Sequence, residues 1–236
     1  EAQVTIATSK SQVSAIYSQL GQDVGVSVEP CRRDTFPAIV LSVAYLKDVL
    51  GVAEDEPIVI CPVDPYVETA YFQALQALCD RAGESEANLV LMGIREKPTK
   101  EAAEEYIAKG ALWNGGVFAF RLGYVLKRAH ELIDFTDYED LFQKYDTLQK
   151  ISFDYAVVEK ESAIEVMRFA GTWKDLGTWN TLTEAMDSQC VGQGVLNDTC
   201  ENVHVVNELN VPILCMGLKN MVVAASPEGI LVSDKE

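Results

Sequence analysis

Apolar positions along the chain follow two rhythms, and the rhythm changes near residue 190. In the first part, strand-like and helix-like stretches alternate. VTIATS (residues 4–9) and GVSVE (25–29) read as short strands. In FPAIVLSVAYLKDVLG (36–51), Ile39, Val43, Leu46 and Leu50 recur at helical spacing, with Pro37 suited to a first turn and Gly51 to a stop. PIVICPVD (57–64) is a continuous apolar run ending in an acid, the pattern of a buried parallel strand. YFQALQALCDRAG (71–83) is amphipathic, NLVLMGI (88–94) is a second buried strand, and EAAEEYIAKG (101–110) is a short helix. WNGGVFAFRL (113–122) is a strand with a Gly-Gly interruption.

This alternation predicts an α/β fold: a Rossmann-like, mostly parallel sheet covered by helices. Such sheets take ligands at the carboxyl ends of their strands, and Asp64 closes one of them. After about residue 190, ENVHVVNE, VPILCMGL, MVVAAS and GILVSD are short strand-like runs set apart by Asn, Gly, Pro and Ser, without helical period. The expected division is a domain at 1–187 and an all-β domain at 188–236. No repeat of fixed period is read from the sequence.

Composition narrows the function classes. The chain has 236 residues, 48% apolar and 23% charged, which suits a packed globular protein. Its net charge of −17 argues against nonspecific nucleic-acid binding and against an anionic membrane surface. No apolar run reaches the roughly 20 residues that cross a bilayer, and EAQVTIATSK lacks the pattern of an export signal. A cytoplasmic location is expected. Six scattered cysteines, without a C-x-x-C pair, and only two histidines suggest reduced thiols rather than zinc.

The candidate chemistry lies in five stretches, each with a plainer alternative. In CPVDPY (61–66), Asp64 suits either a divalent cation or the cap of a turn. EPCRRDTFPAI (29–39) joins a strand end, two arginines and a helix start, which is either an anion or purine contact or a solvated basic loop. In REKP (95–98), Lys97 before proline is either a phosphate contact or a surface lysine. In WNGGVFAF (113–120), Asn114 and Gly115 mark either close approach of a ligand or a β-bulge. SFDYAVVEK (152–160) carries Asp154 and Glu159 on a helix start that Ser152 or Asp154 caps. A sixth stretch, GTWKDLGTWN (171–180), sets Trp173 and Trp179, two of only three tryptophans, on either side of Asp175.

The order of these stretches is specific. EPCRRDTFPAI, ICPVDP, EKP, LWNGGVFAF, SFDYAVVEK and WKDLGTWNTL together resemble the sugar-1-phosphate nucleotidyltransferases, on the mannose-1-phosphate guanylyltransferase branch. The resemblance covers about residues 1–187 and implies the nucleotide-diphospho-sugar transferase fold, followed by a short left-handed β-helix-like tail. It implies that Asp64 and Asp175 hold a catalytic Mg²⁺ and that Lys97 contacts the sugar phosphate with Glu96 beside it. It further implies that Asn114, with Gly115, and Glu159 contact the sugar, and that Glu29 and Pro30 lie near the base. The implied substrates are GTP and mannose 1-phosphate, in a homodimer. The alternatives are UTP or dTTP with glucose 1-phosphate, or a noncatalytic nucleotide-sugar-binding regulatory subunit. On this reading Trp173 and Trp179 pack the seat of Asp175, and Gly177 allows the turn between them.

Two elements of the family pattern are missing from this sequence. The glycine-rich G-x-G-x-R loop is absent, and NLVLMGI runs into REKP without the family's P-x-x-x-x-YGYI segment. Pro65 also stands where the family usually has histidine or another polar residue.

Overall fold

The structure is a computed structural model that describes residues 2–94 and 112–235. In chain order the elements are β1 (Thr5–Ser9), α1 (Val13–Leu20), β2 (Gly25–Glu29), α2 (Thr35–Asp48), β3 (Pro57–Ile60), β4 (Tyr66–Val67) and α3 (Thr69–Glu84). β5 (Leu89–Ile94), β6 (Trp113–Arg121), α4 (Leu122–Leu132), α5 (Tyr138–Lys144), α6 (Phe153–Ala156), β7 (Ile164–Phe169), β8 (Trp173–Lys174) and α7 (Trp179–Ala185) follow. The remainder is β9 (Cys190–Val191), β10 (Gly194–Leu196), β11 (His204–Asn207), β12 (Ile213–Cys215), β13 (Met221–Ser226) and β14 (Gly229–Asp234). The helix expected at 101–110, with Glu96 and Lys97 before it, lies outside the described residues. By internal contacts the chain divides into two compact units: Glu1–Pro62 with Ala70–Ala170, and Val63–Thr69 with Gly171–Glu236.

The first unit is α/β, but its main sheet is mixed rather than mostly parallel. The strand order is β3-β6-β5-β7. Only β5 and β7 run parallel, while β6 runs antiparallel to both β3 and β5. The reason lies in the register. Ile94, the last residue of β5, pairs with Trp113, the first of β6, so the chain re-enters the sheet at the end where it left. A parallel neighbour would need a crossover to the opposite end. β3, read as a buried parallel strand, is an antiparallel edge strand whose four residues are only half-buried, because an apolar run fixes neither a strand's direction nor its place in the sheet. A separate parallel pair, β1 with β2, belongs to the same unit.

Helix α2 organises the core of this unit. Phe36, Ile39, Val40, Leu41, Val43 and Ala44 are all buried, so its N-terminal half is apolar on nearly every side. Asp34 caps the start by accepting from the Thr35 N–H at 2.7 Å. The end is a Schellman turn: Gly51, at φ +70, donates to the Lys47 carbonyl, and Val52 to that of Leu46. The predicted stop at Gly51 is thus the left-handed residue past the helix. Phe153, at the start of α6, is fully buried, with ring centroids 5.0 Å from Phe118 and 6.1 Å from Phe120 of β6.

The second unit is β-rich. Its sheets are β14-β13-β11-β9, β10-β12 and β4-β8. β9, β11 and β13 pair in parallel, as do β10 and β12, while β14 closes the larger sheet antiparallel to β13. The parallel partners lie 15 residues apart for Cys190 and Val205, 18 for His204 and Val222, and 19 for Gly194 and Ile213, in keeping with the reading of no fixed period. Across the 18-residue step Asn202 donates to Asn220 Oδ1 at 2.8 Å. Both asparagines sit at positive φ, 50° and 53°, at equivalent turns. Among the described residues no helix is long and apolar enough to cross a membrane.

Candidate functional site

In the second unit, two short strands bring the two candidate metal carboxylates to one end of a ladder. β4 and β8 run antiparallel, with Tyr66 opposite Lys174 and Val67 opposite Trp173. The Thr172 hydroxyl donates to the Glu68 carboxylate and closes the far end. At the near end, Asp64 precedes Tyr66 by two residues and Asp175 follows Lys174 by one. Asp64 therefore does not end β3, which stops at Ile60. It stands at the entry to β4, in the other unit.

Both carboxylates are exposed. Asp175 is held by its own turn: the Gly177 N–H donates to Asp175 Oδ1 at 2.8 Å. A Cβ at position 177 would stand 3.1 Å from that oxygen, so glycine lets the backbone come this close. Trp173 lies in β8 and Trp179 opens α7, both half-buried. Thr178 caps α7 in a capping box with Thr181. The loop carrying Asp175 is thus pinned by a strand before it and a capped helix after it.

No group of three or more His, Cys, Asp or Glu able to hold a metal is found among the described residues. Two carboxylates still fit Mg²⁺, which binds through one or two carboxylates and takes its remaining ligands from water and phosphate.

In the first unit, Asn114 sits at the irregular start of β6. The register with β5 shifts between Leu91 and Gly93, so the Gly115-Gly116 pair does form a bulge. Gly116, at φ +69, turns its N–H back to Asn114 Oδ1 at 3.0 Å. The Asn114 Nδ2 donates to Asp154 Oδ1 at 2.6 Å. Ser152, not Asp154, caps α6, by accepting from the Tyr155 N–H at 3.2 Å. Asp154 is therefore free to hold Asn114, a pairing across 40 residues that sequence reasoning missed. Gly115 is buried, and Glu159 is exposed on a single 3₁₀ turn, Val158–Lys160.

Glu29 ends β2 and is itself held in place. Its Oε1 accepts from the Tyr145 hydroxyl at 2.8 Å and from the Arg33 N–H at 3.1 Å. Burial, then the bond to Glu29, pushes the Tyr145 phenol well above its ordinary range, so it stays a donor. Arg33 donates to the carbonyls of Tyr145 and Asp146. That arginine therefore ties the turn to the 3₁₀ segment Tyr145–Thr147. Pro30 is exposed beside Glu29. The turn ends at Asp34, whose φ of +71 is strained for a residue with a side chain.

Residues 81–190 match the Nucleotidyl transferase family. A mannose-1-phosphate guanylyltransferase of Escherichia coli is 29% identical over 162 residues, 59% of this chain and 34% of that protein. The xanthan biosynthesis protein XanB of Xanthomonas campestris is 26% identical over 271 residues, 92% of this chain and 56% of that protein. The chain thus spans about half the length, or less, of these curated relatives. A solved structure titled mannose-1-phosphate geranyltransferase, from Thermus thermophilus, superposes with a TM-score of 0.74 at 26% identity. That match covers 98% of this chain and 79% of the other. Family model, curated relatives and solved structure agree with the resemblance read from the motifs: the chain is similar to the nucleotidyl transferases over residues 81–190, and over more of its length to proteins named mannose-1-phosphate guanylyltransferase.

Proposed function

We propose that the protein makes GDP-mannose and pyrophosphate from GTP and mannose 1-phosphate. The observation that carries this reading is the β4–β8 ladder, which sets Asp64 and Asp175 at one end with Asp175 fixed by the Gly177 N–H. Asp64 and Asp175 hold Mg²⁺, which when bound supplies positive charge to the phosphates. The sugar phosphate is already an anion, so it attacks the α-phosphorus in line without a general base, and pyrophosphate leaves. This agrees with a chain of two histidines, neither near these carboxylates in sequence. The residues need only position the reactants and offset charge.

Asn114 and Glu159 contact sugar hydroxyls, with the buried Gly115 keeping the strand thin beside them. Glu29, held by Tyr145, and Pro30 border the base. Lys97 and Glu96, outside the described residues, complete the contacts to the sugar phosphate by the motif resemblance.

The β-rich unit is read as part of a left-handed β-helix. The support is the parallel pairing of the short strands at steps of 15 to 19 residues, with Asn202 bonded to Asn220 across one of them. A homodimer through this unit is supported by the exposed Ile230, Leu231 and Val232 of β14. A cytoplasmic site of action follows from the substrates proposed. The test is formation of GDP-mannose by the purified protein with Mg²⁺, and its loss in Asp175→Asn.

A further inference from the structure

We propose that Asp154 is a positioning residue that sets which way the Asn114 carboxamide faces, and so fixes what Asn114 offers to a sugar hydroxyl. This rests on the reading of Asn114 as a sugar contact. An asparagine amide has two unlike ends, and its two neighbours here each play one role only. The Asp154 carboxylate, 2.6 Å from Nδ2, can only accept. The Gly116 N–H, 3.0 Å from Oδ1, can only donate. Turning the amide by half a rotation would set oxygen against carboxylate and NH₂ against N–H. One orientation is therefore allowed, and it leaves one N–H and one Oδ1 lone pair unused. A hydroxyl both donates and accepts, so it can satisfy both.

The surroundings hold this pair firmly from behind. Phe153, immediately before Asp154, is fully buried against Phe118 and Phe120. Ser152 caps the same turn. Gly116 reaches Asn114 only because its backbone is left-handed. Trp113 and Tyr155, the neighbours of the two residues in sequence, are 53% and 63% exposed. The bond to a carboxylate is charge-assisted and holds the amide more tightly than a neutral partner would.

The test has two readouts. The first is the side-chain amide resonances of the full chain, with those of Asn114 identified by their loss in Asn114→Ala. One Asn114 proton is expected far downfield, returning to the free-amide range in Asp154→Ala. The second is titration of mannose 1-phosphate and, separately, of GTP. Asp154→Ala is expected to weaken mannose 1-phosphate roughly tenfold, the cost of about one hydrogen bond, and to leave GTP binding and thermal unfolding unchanged. Asp154→Asn, which keeps an acceptor oxygen in place, recovers most of that affinity and guards against a folding defect in the alanine variant. An Asn114 resonance unmoved in Asp154→Ala overturns the orientation claim, whatever the protein does. Equal weakening of GTP and mannose 1-phosphate also overturns it. If Asn114→Ala leaves mannose 1-phosphate binding intact, the sugar role falls together with the reading on which it rests.

Discussion

Tyr66 stands opposite Lys174 across the β4–β8 ladder, and that one register brings Asp64 and Asp175 to the same end of the pair. The two aspartates are far apart in sequence, and nothing local to either announces the other. The ladder turns two ordinary acids into a candidate cation site.

Asp175→Asn removes a charged oxygen from that site while preserving shape. Asp175 is exposed, so folding should be unchanged. Turnover is expected to fall at least about 100-fold, with weaker Mg²⁺ dependence. Steady-state rates across a Mg²⁺ series check this, and near-normal activity would remove Asp175 from the metal site.

Gly177→Ala tests the seat rather than the ligand. The added methyl would stand 3.1 Å from Asp175 Oδ1 and push the carboxylate away from the Gly177 N–H. Mg²⁺ affinity is expected to fall with little change in thermal unfolding. A variant that binds Mg²⁺ normally would show that this turn does not position Asp175.

Phe153→Ala tests the packing behind Asp154. The ring is fully buried against two aromatic neighbours, so its loss should cost about 3–5 kcal/mol. Chemical denaturation reads the change directly. A cost below about 1 kcal/mol would mean the core collapses around the gap, and that Phe153 does not fix the start of α6.

Glu161 supplies a pH dependence. The Tyr124 hydroxyl donates to it at 2.5 Å, and the Ser162 and Ala163 N–H groups each donate at 2.8 Å. The Tyr124 bond first, then the backbone donors, lower its pKa from 4.5 to about 2. A lowered folded-state pKa gives stability that is present above the unfolded value and lost as pH falls through the folded one. Tyr124→Phe should therefore be less stable than the parent at pH 7. The gap should narrow between pH 4.5 and about 2, as measured by unfolding across that range. A gap that stays constant over that window would assign the effect to packing instead.

Much of this was legible in the sequence, for reasons that also explain the failures. Apolar periodicity located α2 and its Gly51 stop, and GVSVE is β2 residue for residue. Those signals are local. Strand direction is not, and β6 reversed the expected parallel sheet because its register with β5 is set by a connection rather than by its own composition. ENVHVVN and KNMVVAA, 18 residues apart, share only Asn202 with Asn220 and Val205 with Val223, and the neighbouring parallel pairs step by 15 and 19 residues, so no fixed period marks these strands in the sequence. Motif order singled out Asn114 and Asp175 as candidates. It did not find that Asp154 holds Asn114, because an acid after a serine on a helix start looks like a cap until the serine is seen to do the capping.

Pyrophosphate release should be measured with the purified protein, Mg²⁺, GTP and mannose 1-phosphate, with UTP, dTTP and glucose 1-phosphate run in the other pairings. Release is expected only with GTP and mannose 1-phosphate, and is expected to be abolished in Asp175→Asn. A folded protein that binds GDP-mannose but releases no pyrophosphate with any pair would contradict the proposed reaction.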